Sequence, residues 1–294
     1  MTAHWDAMQK AEARLVATLD SKFLPQAPTS ESADTAEDRR LIFIGDIHGC
    51  MDELEALLHK SKYDPMKDHI IALGDVVKKG PKSREVVDYL MEQRASCVRG
   101  NQDDRILLAA KAVFEPSATS QTKGHDREHK RHPKKDPKTG KEREEQELAS
   151  SFAPEQLKWL AECPIILRVG ELQPFGNIIA VHGGLVPGIA LEHQNPYSVM
   201  NMRIIDVQTR APSEEHFRDG SVPWAEFWNQ HQVSLTNEEK RTTVVFGHDK
   251  KKGLQVYPYA KGLDTGCVDG GKLTAWIVGV DKEQFVQVKS KPKR

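Results

Sequence analysis

The sequence predicts an α/β fold, a β-sandwich flanked by helices, on three observations. Short continuous apolar runs alternate with helical patterns in the first half of the chain. The second half is dominated by strand-like runs joined by short turns. Several of these runs end in glycine followed by a polar side chain. Continuous apolar runs of this length suit strands buried on both faces. Their alternation with helical segments suits sheets covered by helices.

The elements follow in order. Residues from Trp5 to Leu19 carry a mild helical period, and Pro25 to Asp38 is rich in Pro, Ser, Thr and Asp. Residues 1–38 are therefore expected to be a helix and linker ahead of a domain over 39–290, with a tail at 291–294. Leu41-Ile42-Phe43-Ile44 is the first strand, and a helix follows through Leu54, Leu57 and Leu58. His69 to Leu73 is a second strand, Ser83 to Gln93 a helix, Ser96-Cys97-Val98 a third strand, and Asp103 to Val113 a helix. Later strands are expected at Ile178 to Val181, Thr242 to Phe246, Leu254 to Val256 and Lys272 to Val280. Trp224, Phe227 and Trp228 fall at helical spacing and are expected in the core.

Residues 115–150 break the pattern. Lys123 to Glu147 is mostly charge and carries almost nothing apolar, so it cannot offset the entropy of ordering. A mobile insertion is expected, either a solvated loop or an arm that grips a polyanion. Its His125, His129 and His132 are expected to be loop residues rather than metal ligands.

Composition excludes several classes. The net charge is −1 over 294 residues, so no global field selects nucleic acid or an anionic membrane. The four cysteines form no CxxC pair, which argues against a thiolate zinc site and for buried thiols in a reducing compartment. No apolar run approaches the ~20 residues of a membrane span. The first residues carry acids and no apolar h-region, so no secretory signal is expected. A soluble, cytoplasmic protein is the expectation, with no specific nucleic-acid partner. The oligomeric state is not legible.

The chemistry-bearing residues share one grammar: an apolar strand, a glycine, then a ligand-type side chain. The segments are Gly45-Asp46-Ile47-His48-Gly49, Gly74-Asp75, Gly100-Asn101, His182-Gly183-Gly184 and Gly247-His248. Ligands in α/β proteins gather beyond the carboxyl ends of strands. Carboxylate oxygen with imidazole nitrogen suits zinc, manganese, cobalt or iron, with magnesium also possible. Two divalent ions roughly 3.5–4 Å apart, sharing a carboxylate and a hydroxide, are the expected cofactors. The hydroxide would attack phosphorus, and the ions would offset the phosphoryl charge.

In order from Gly45 to His248 these segments resemble the metallophosphoesterase superfamily, the calcineurin-like fold of Ser/Thr protein phosphatases and diadenosine tetraphosphatases. The resemblance runs from about Leu41 to Val280 without the charged insertion. It implies that Asp46, His48 and Asp75 hold one metal, that Asp75 bridges, and that Asn101, His182 and His248 complete the second. Gly74-Asp75-Val76-Val77-Lys78-Lys79-Gly80-Pro81, the segment Gly262 to Val268 and Asn201-Met202-Arg203 are similar to the diadenosine tetraphosphatase-like branch. With Gly247 to Gly253, the nearest resemblance is to fungal zinc-dependent endopolyphosphatases, which implies a vacuolar setting if an anchor has been removed.

One departure bears on the substrate. The family's Gly-Asn-His is Gly100-Asn101-Gln102 here, and the aspartate that partners that histidine is Lys78. Gln102 has no titratable proton for a leaving group. A leaving phosphate, with a pKa of about 6, departs more readily than an alkoxide. The expected reaction is hydrolysis of a phosphoanhydride, with Asp75, Asn101, Lys79 and Arg203 as catalytic residues. Inorganic polyphosphate cut internally is the expected substrate, with Lys78, Lys79, Gln102, Arg203, Lys250 and Lys251 along its path. The alternatives are a diadenosine tetraphosphate or RNA-cap hydrolase, a Ser/Thr protein phosphatase, and a metal-bound scaffold without catalysis.

Overall fold

The computed structural model describes residues 14–25, 39–114, 139–238, 241–280 and 282–291. Among the described residues, fourteen strands and seven α-helices are arranged around two main sheets. The strands are β1 Val16–Thr18, β2 Arg40–Ile44, β3 Asp68–Ala72, β4 Ser96–Cys97, β5 Ile166–Leu172, β6 Gly176–Val181 and β7 Ile204–Asp206. They continue with β8 Pro212–Ser213, β9 Ser221–Pro223, β10 Thr242–Phe246, β11 Gln255–Tyr257, β12 Ala260–Gly262, β13 Lys272–Gly279 and β14 Lys282–Lys289. The helices are α1 Met51–Lys60, α2 Ser83–Glu92, α3 Asn101–Phe114, α4 Gly140–Ser151, α5 Pro154–Glu162, α6 Pro196–Asn201 and α7 Trp224–Ser234.

One sheet has the order β14-β13-β2-β3-β4 and the other β1-β5-β6-β10-β12-β11; a small third sheet runs β8-β7-β9. The period of two along β2 sorts its side chains between two cores. Leu41 and Phe43 face the other sheet and pack with Leu167, Val169, Ile178, Val245 and Trp276. Ile42 and Ile44 face outward and pack under Leu54, Leu57, Val86, Leu90 and Ile106 of the helices. On the far side, Ile179, Val181, Val244 and Phe246 are covered by Trp224 and Trp228. The result is helix, sheet, sheet, helix, as the strand and tryptophan patterns predict. All four cysteines are free and buried.

Strand directions set the position of the site. β2, β3 and β4 are mutually parallel, and so are β6, β10 and β12. The residues after Ile44, Ala72, Val181, Phe246 and Gly262 therefore gather at one end of the sandwich.

Three expectations need correction. Val16–Thr18, read as the end of a helix, is an edge strand paired in parallel with β5. β-branched residues and a neighbouring apolar edge outweigh a weak helical period there. Residues 139–150, read as the end of the mobile insertion, lie in the ordered helix α4. Thr139 and Glu142 close a capping box at its start, and Ala149 is fully buried in the helix-side core. Strands β5 and β14 were not read from the sequence; their alternating or polar patterns lack the continuous apolar run of the central strands. The expectations for residues 1–13, 26–38 and 115–138, including His125, His129 and His132, lie outside the described residues.

Candidate metal centre

Each candidate ligand sits one to four residues past a strand end, on backbone fixed by a neighbouring loop. His48 N donates to Asp75 O at 2.8 Å, and Gly247 N donates to His182 O at 2.9 Å. His248 N donates to Asp46 Oδ1 at 2.9 Å, and Gln102 N to Asp75 Oδ1 at 2.7 Å. His48, Asp75, Lys78, Lys79 and His248 all adopt positive φ, between 49° and 73°. Non-glycine residues seldom do so, and such strain collects at functional sites. Gly247 allows a close approach: a Cβ there would lie 2.2 Å from Asp46 Oδ1. A Cβ on Gly100 would lie 2.3 Å from Asp75 Oδ1.

The histidines present lone pairs inward. His182 Nδ1 lies 2.8 Å from Leu73 O, so it carries the proton, and Nε2 is left facing Asp75 Oδ1 at 3.4 Å. His48 Nδ1 lies 3.2 Å from Val77 O, and its Nε2 faces Asp75 Oδ2 at 3.5 Å and Asp46 Oδ2 at 3.7 Å. His248 Nε2 donates to Asn201 O at 2.9 Å, which frees Nδ1. A backbone carbonyl on the far nitrogen is the arrangement that orients a metal-binding imidazole. Burial keeps His48 neutral, with a pKa lowered to about 4. His248 is pushed well below the usual range by burial, His182 and Arg203.

The carboxylates complete an acceptor-rich cluster. Asp46, His48 and Asp75 are buried, with ligand atoms within 4.8 Å of one another. Burial, followed by repulsion from Asp264 and Asp75, holds the Asp46 carboxyl well above the ordinary range. Asp75 is pushed up by burial but pulled further down by His182, His48 and Lys79. Asn101 Oδ1 sits 3.2 Å from His182 Nε2 and from both Asp75 oxygens, all of them acceptors. Turning the amide would let its NH2 donate to those atoms; a divalent cation, when bound, would favour the oxygen-inward orientation instead. The cation on hand is Lys79, whose Nζ lies 2.8 Å from His48 Nε2. Converging carboxylate, imidazole and amide donors with so little positive charge fit divalent metal ions.

The pocket over this cluster is lined by Lys79, Gln102, Arg203, Lys250 and Lys251 among the residues expected to meet substrate. Lys250 is held by Asp269 at 2.6 Å. Arg203 Nη1 donates to Glu214 O, while its buried Nε has no partner among the described residues. His182 is fully buried behind the pocket. Lys78 differs from expectation. Its Nζ donates to Gln102 Oε1 at 3.0 Å and to Glu145 Oε1 at 2.5 Å, and Arg105 Nε reaches the same carboxylate at 2.8 Å. Lys78 is thus a half-buried prop against Gln102 and does not line the pocket.

Several pocket residues escaped the sequence reading. Asp264, His216, Asp249 and Asp269 all line it. Asp264 is buried, its Oδ1 accepts from Gly266 N at 3.0 Å, and burial raises its pKa. It follows β12 as Asp46 follows β2, so the strand-then-acid pattern offered a signal. The short strand Ala260–Gly262, with a lysine at its centre, hid it. His216 had no local signal, since it lies in a polar loop before β9.

Comparison with known proteins agrees with this geometry. Residues 39–279 match the family model for calcineurin-like phosphoesterases. The chain is 28% identical over 276 residues to the zinc-dependent endopolyphosphatase of Saccharomyces cerevisiae, covering 88% of this chain and 82% of that protein. It is 28% identical over 301 residues to the symmetrical bis(5'-nucleosyl)-tetraphosphatase of Vibrio parahaemolyticus, covering 83% and 97%. A crystal structure of a protein provisionally assigned as a diadenosine tetraphosphatase superposes with a TM-score of 0.66 at 31% identity, covering 95% of this chain and 100% of that one. The chain belongs to the calcineurin-like phosphoesterases, metal-dependent hydrolases whose members use two divalent metal ions. Among the described residues, no helix is long and apolar enough to cross a membrane.

Proposed function

We propose that the chain hydrolyses phosphoanhydride bonds and that its substrate is inorganic polyphosphate, cut within the chain. In this reading Asp46, His48 and Asp75 hold one ion, and Asn101, His182 and His248 hold the other with Asp75 shared. When bound, the ions acidify a water and offset the charge of the phosphoryl group. Lys79 and Arg203 orient phosphate oxygens, and Lys250 and Lys251 extend positive charge along the pocket's rim.

The observation that carries the reading is Gln102. Its amide occupies the position of the family's histidine, and Lys78 holds its oxygen. Gln102 supplies no proton there, a loss that weighs more on a strongly basic alkoxide than on a leaving phosphate. An anhydride's leaving phosphate needs less help. A dinucleoside polyphosphate shares that chemistry, and the names of the bacterial relatives support it. Against it, no Phe, Tyr or Trp lines the pocket among the described residues, so a base finds no ring to stack on.

Gln102→His tests the reading. The variant is expected to gain about tenfold in kcat on a phosphomonoester such as p-nitrophenyl phosphate, and less than about twofold on long-chain polyphosphate. Equal gains on both would remove the argument for an anhydride.

A further inference from the structure

Gln102 leaves one wall of the pocket without a proton donor, and a second imidazole stands on another. His216 lies between β8 and β9 on a segment pinned to the phosphate-binding wall. Arg203 N donates to Ser213 O at 2.8 Å and Arg203 Nη1 to Glu214 O at 2.9 Å. The acids beside His216 are engaged elsewhere. Glu214 Oε2 accepts from the Tyr197 hydroxyl, and Glu215 pairs with Arg218. The ring faces the pocket that Asp46, His48 and Asp75 also line.

Asp249 supplies the second observation. Its Oδ1 is buried with no hydrogen-bond partner among the described residues, and it lies 3.9 Å from His216 Nδ1. A buried carboxylate oxygen without a donor is costly. A closure of under about 1 Å would bring Nδ1–H into hydrogen-bond range. Such a bond holds an imidazole with its proton-bearing Nε2 toward the pocket and favours the charged ring.

We infer that His216, steadied by Asp249, gives a proton from Nε2 to the oxygen of the leaving phosphate, the role that Gln102 cannot fill. As water attacks phosphorus and releases one proton to solvent, the new P–O bond forms, the bridging P–O bond breaks, and its electron pair stays on the departing oxygen. That oxygen takes the imidazole proton. The ring, with 43% of its side chain exposed, regains a proton from solvent. Substrate binding prepares the step. Burial, then Arg203 and Lys251, hold the free ring's pKa below its ordinary value, while Asp249 pulls the other way. A polyanion seated on Arg203 and Lys251 cancels their charge, so the ring charges as substrate arrives. The choice of polyphosphate rests on the anhydride reading; the donor itself does not.

The test compares metal-loaded wild type and His216→Gln on long-chain polyphosphate, p-nitrophenyl phosphate and phenyl phosphate across pH. A proton donor matters more as the leaving group becomes more basic. Expected is a loss in kcat of about tenfold on polyphosphate, with a larger loss on phenyl than on p-nitrophenyl phosphate. The alkaline fall of kcat in the wild type should vanish in the variant. Equal losses across substrates with that fall retained would make His216 a binding contact and overturn the inference, as would no loss. If polyphosphate alone is not cleaved, the anhydride reading fails while the two aryl phosphates still decide the role of His216. No turnover of any substrate overturns both.

Discussion

Asp75→Asn lowers turnover by more than roughly 10³-fold while leaving the fold intact, and reduces the metal content of the purified protein. The reason lies in how this carboxylate is placed. It is buried, with Oδ1 facing His182 and Oδ2 facing His48. Its two oxygens face the two halves of the donor set, so its charge counts twice. An amide is nearly isosteric, and its NH2 can donate to an imidazole lone pair, so the metal-free protein should unfold at an unchanged or higher temperature. Activity, bound metal and melting temperature measured together separate these effects. A variant within tenfold of wild-type turnover, carrying its full metal content, would show that Asp75 does not bridge two ions.

Glu145→Ala is expected to destabilise the protein by about 2–4 kcal/mol, because it strands a lysine in a nearly closed environment. The Lys78 side chain is 13% exposed and that of Glu145 8%. Burial lowers the pKa of Lys78, and its bond and charge contact with Glu145 restore only part of that shift. Without the carboxylate, the ammonium keeps one bond, to Gln102, and still faces Arg105. At roughly 2–4 °C per kcal/mol for a chain of this size, the melting temperature falls by about 4–16 °C. Glu145→Leu with Lys78→Met should recover most of the loss, since it removes the charge along with its partner. A fall below about 1 °C in the single variant would mean that the pair behaves like an exposed ion pair. The same contact explains the position of α4: the residue that closes the network lies on the helix after residues 115–138 and packs beside α3.

The legible parts of the sequence were those where one residue type has one physical use. Runs such as Leu41-Ile42-Phe43-Ile44 suit little but a doubly buried strand, and all four side chains are fully buried. The donors after those strands were readable for the same reason, since strand direction alone brings them together. Lys78 was misread because sequence position shows where a backbone goes and not which way a long side chain turns; its Nζ is held by Gln102 and Glu145 away from the pocket. Helix α4 was hidden by composition. Its sequence Gly140–Ser151 is highly charged, yet Ala149 and Glu145 suffice to anchor it. His216 and Asp249 meet across widely separated loops, which no local pattern encodes.

The central claim is hydrolysis of an anhydride at this metal centre. It is tested most directly by supplying the purified protein with zinc, cobalt, manganese or magnesium. It is then offered long-chain polyphosphate, diadenosine tetraphosphate and a phosphoserine peptide, with Asp75→Asn as the control. Chain length and released phosphate report internal against terminal cleavage. The account predicts metal-dependent shortening of polyphosphate into intermediate lengths, an untouched peptide, and no turnover by the variant. Turnover of the peptide alone would contradict it, because the site would then act on a phosphoester and leave the anhydride untouched.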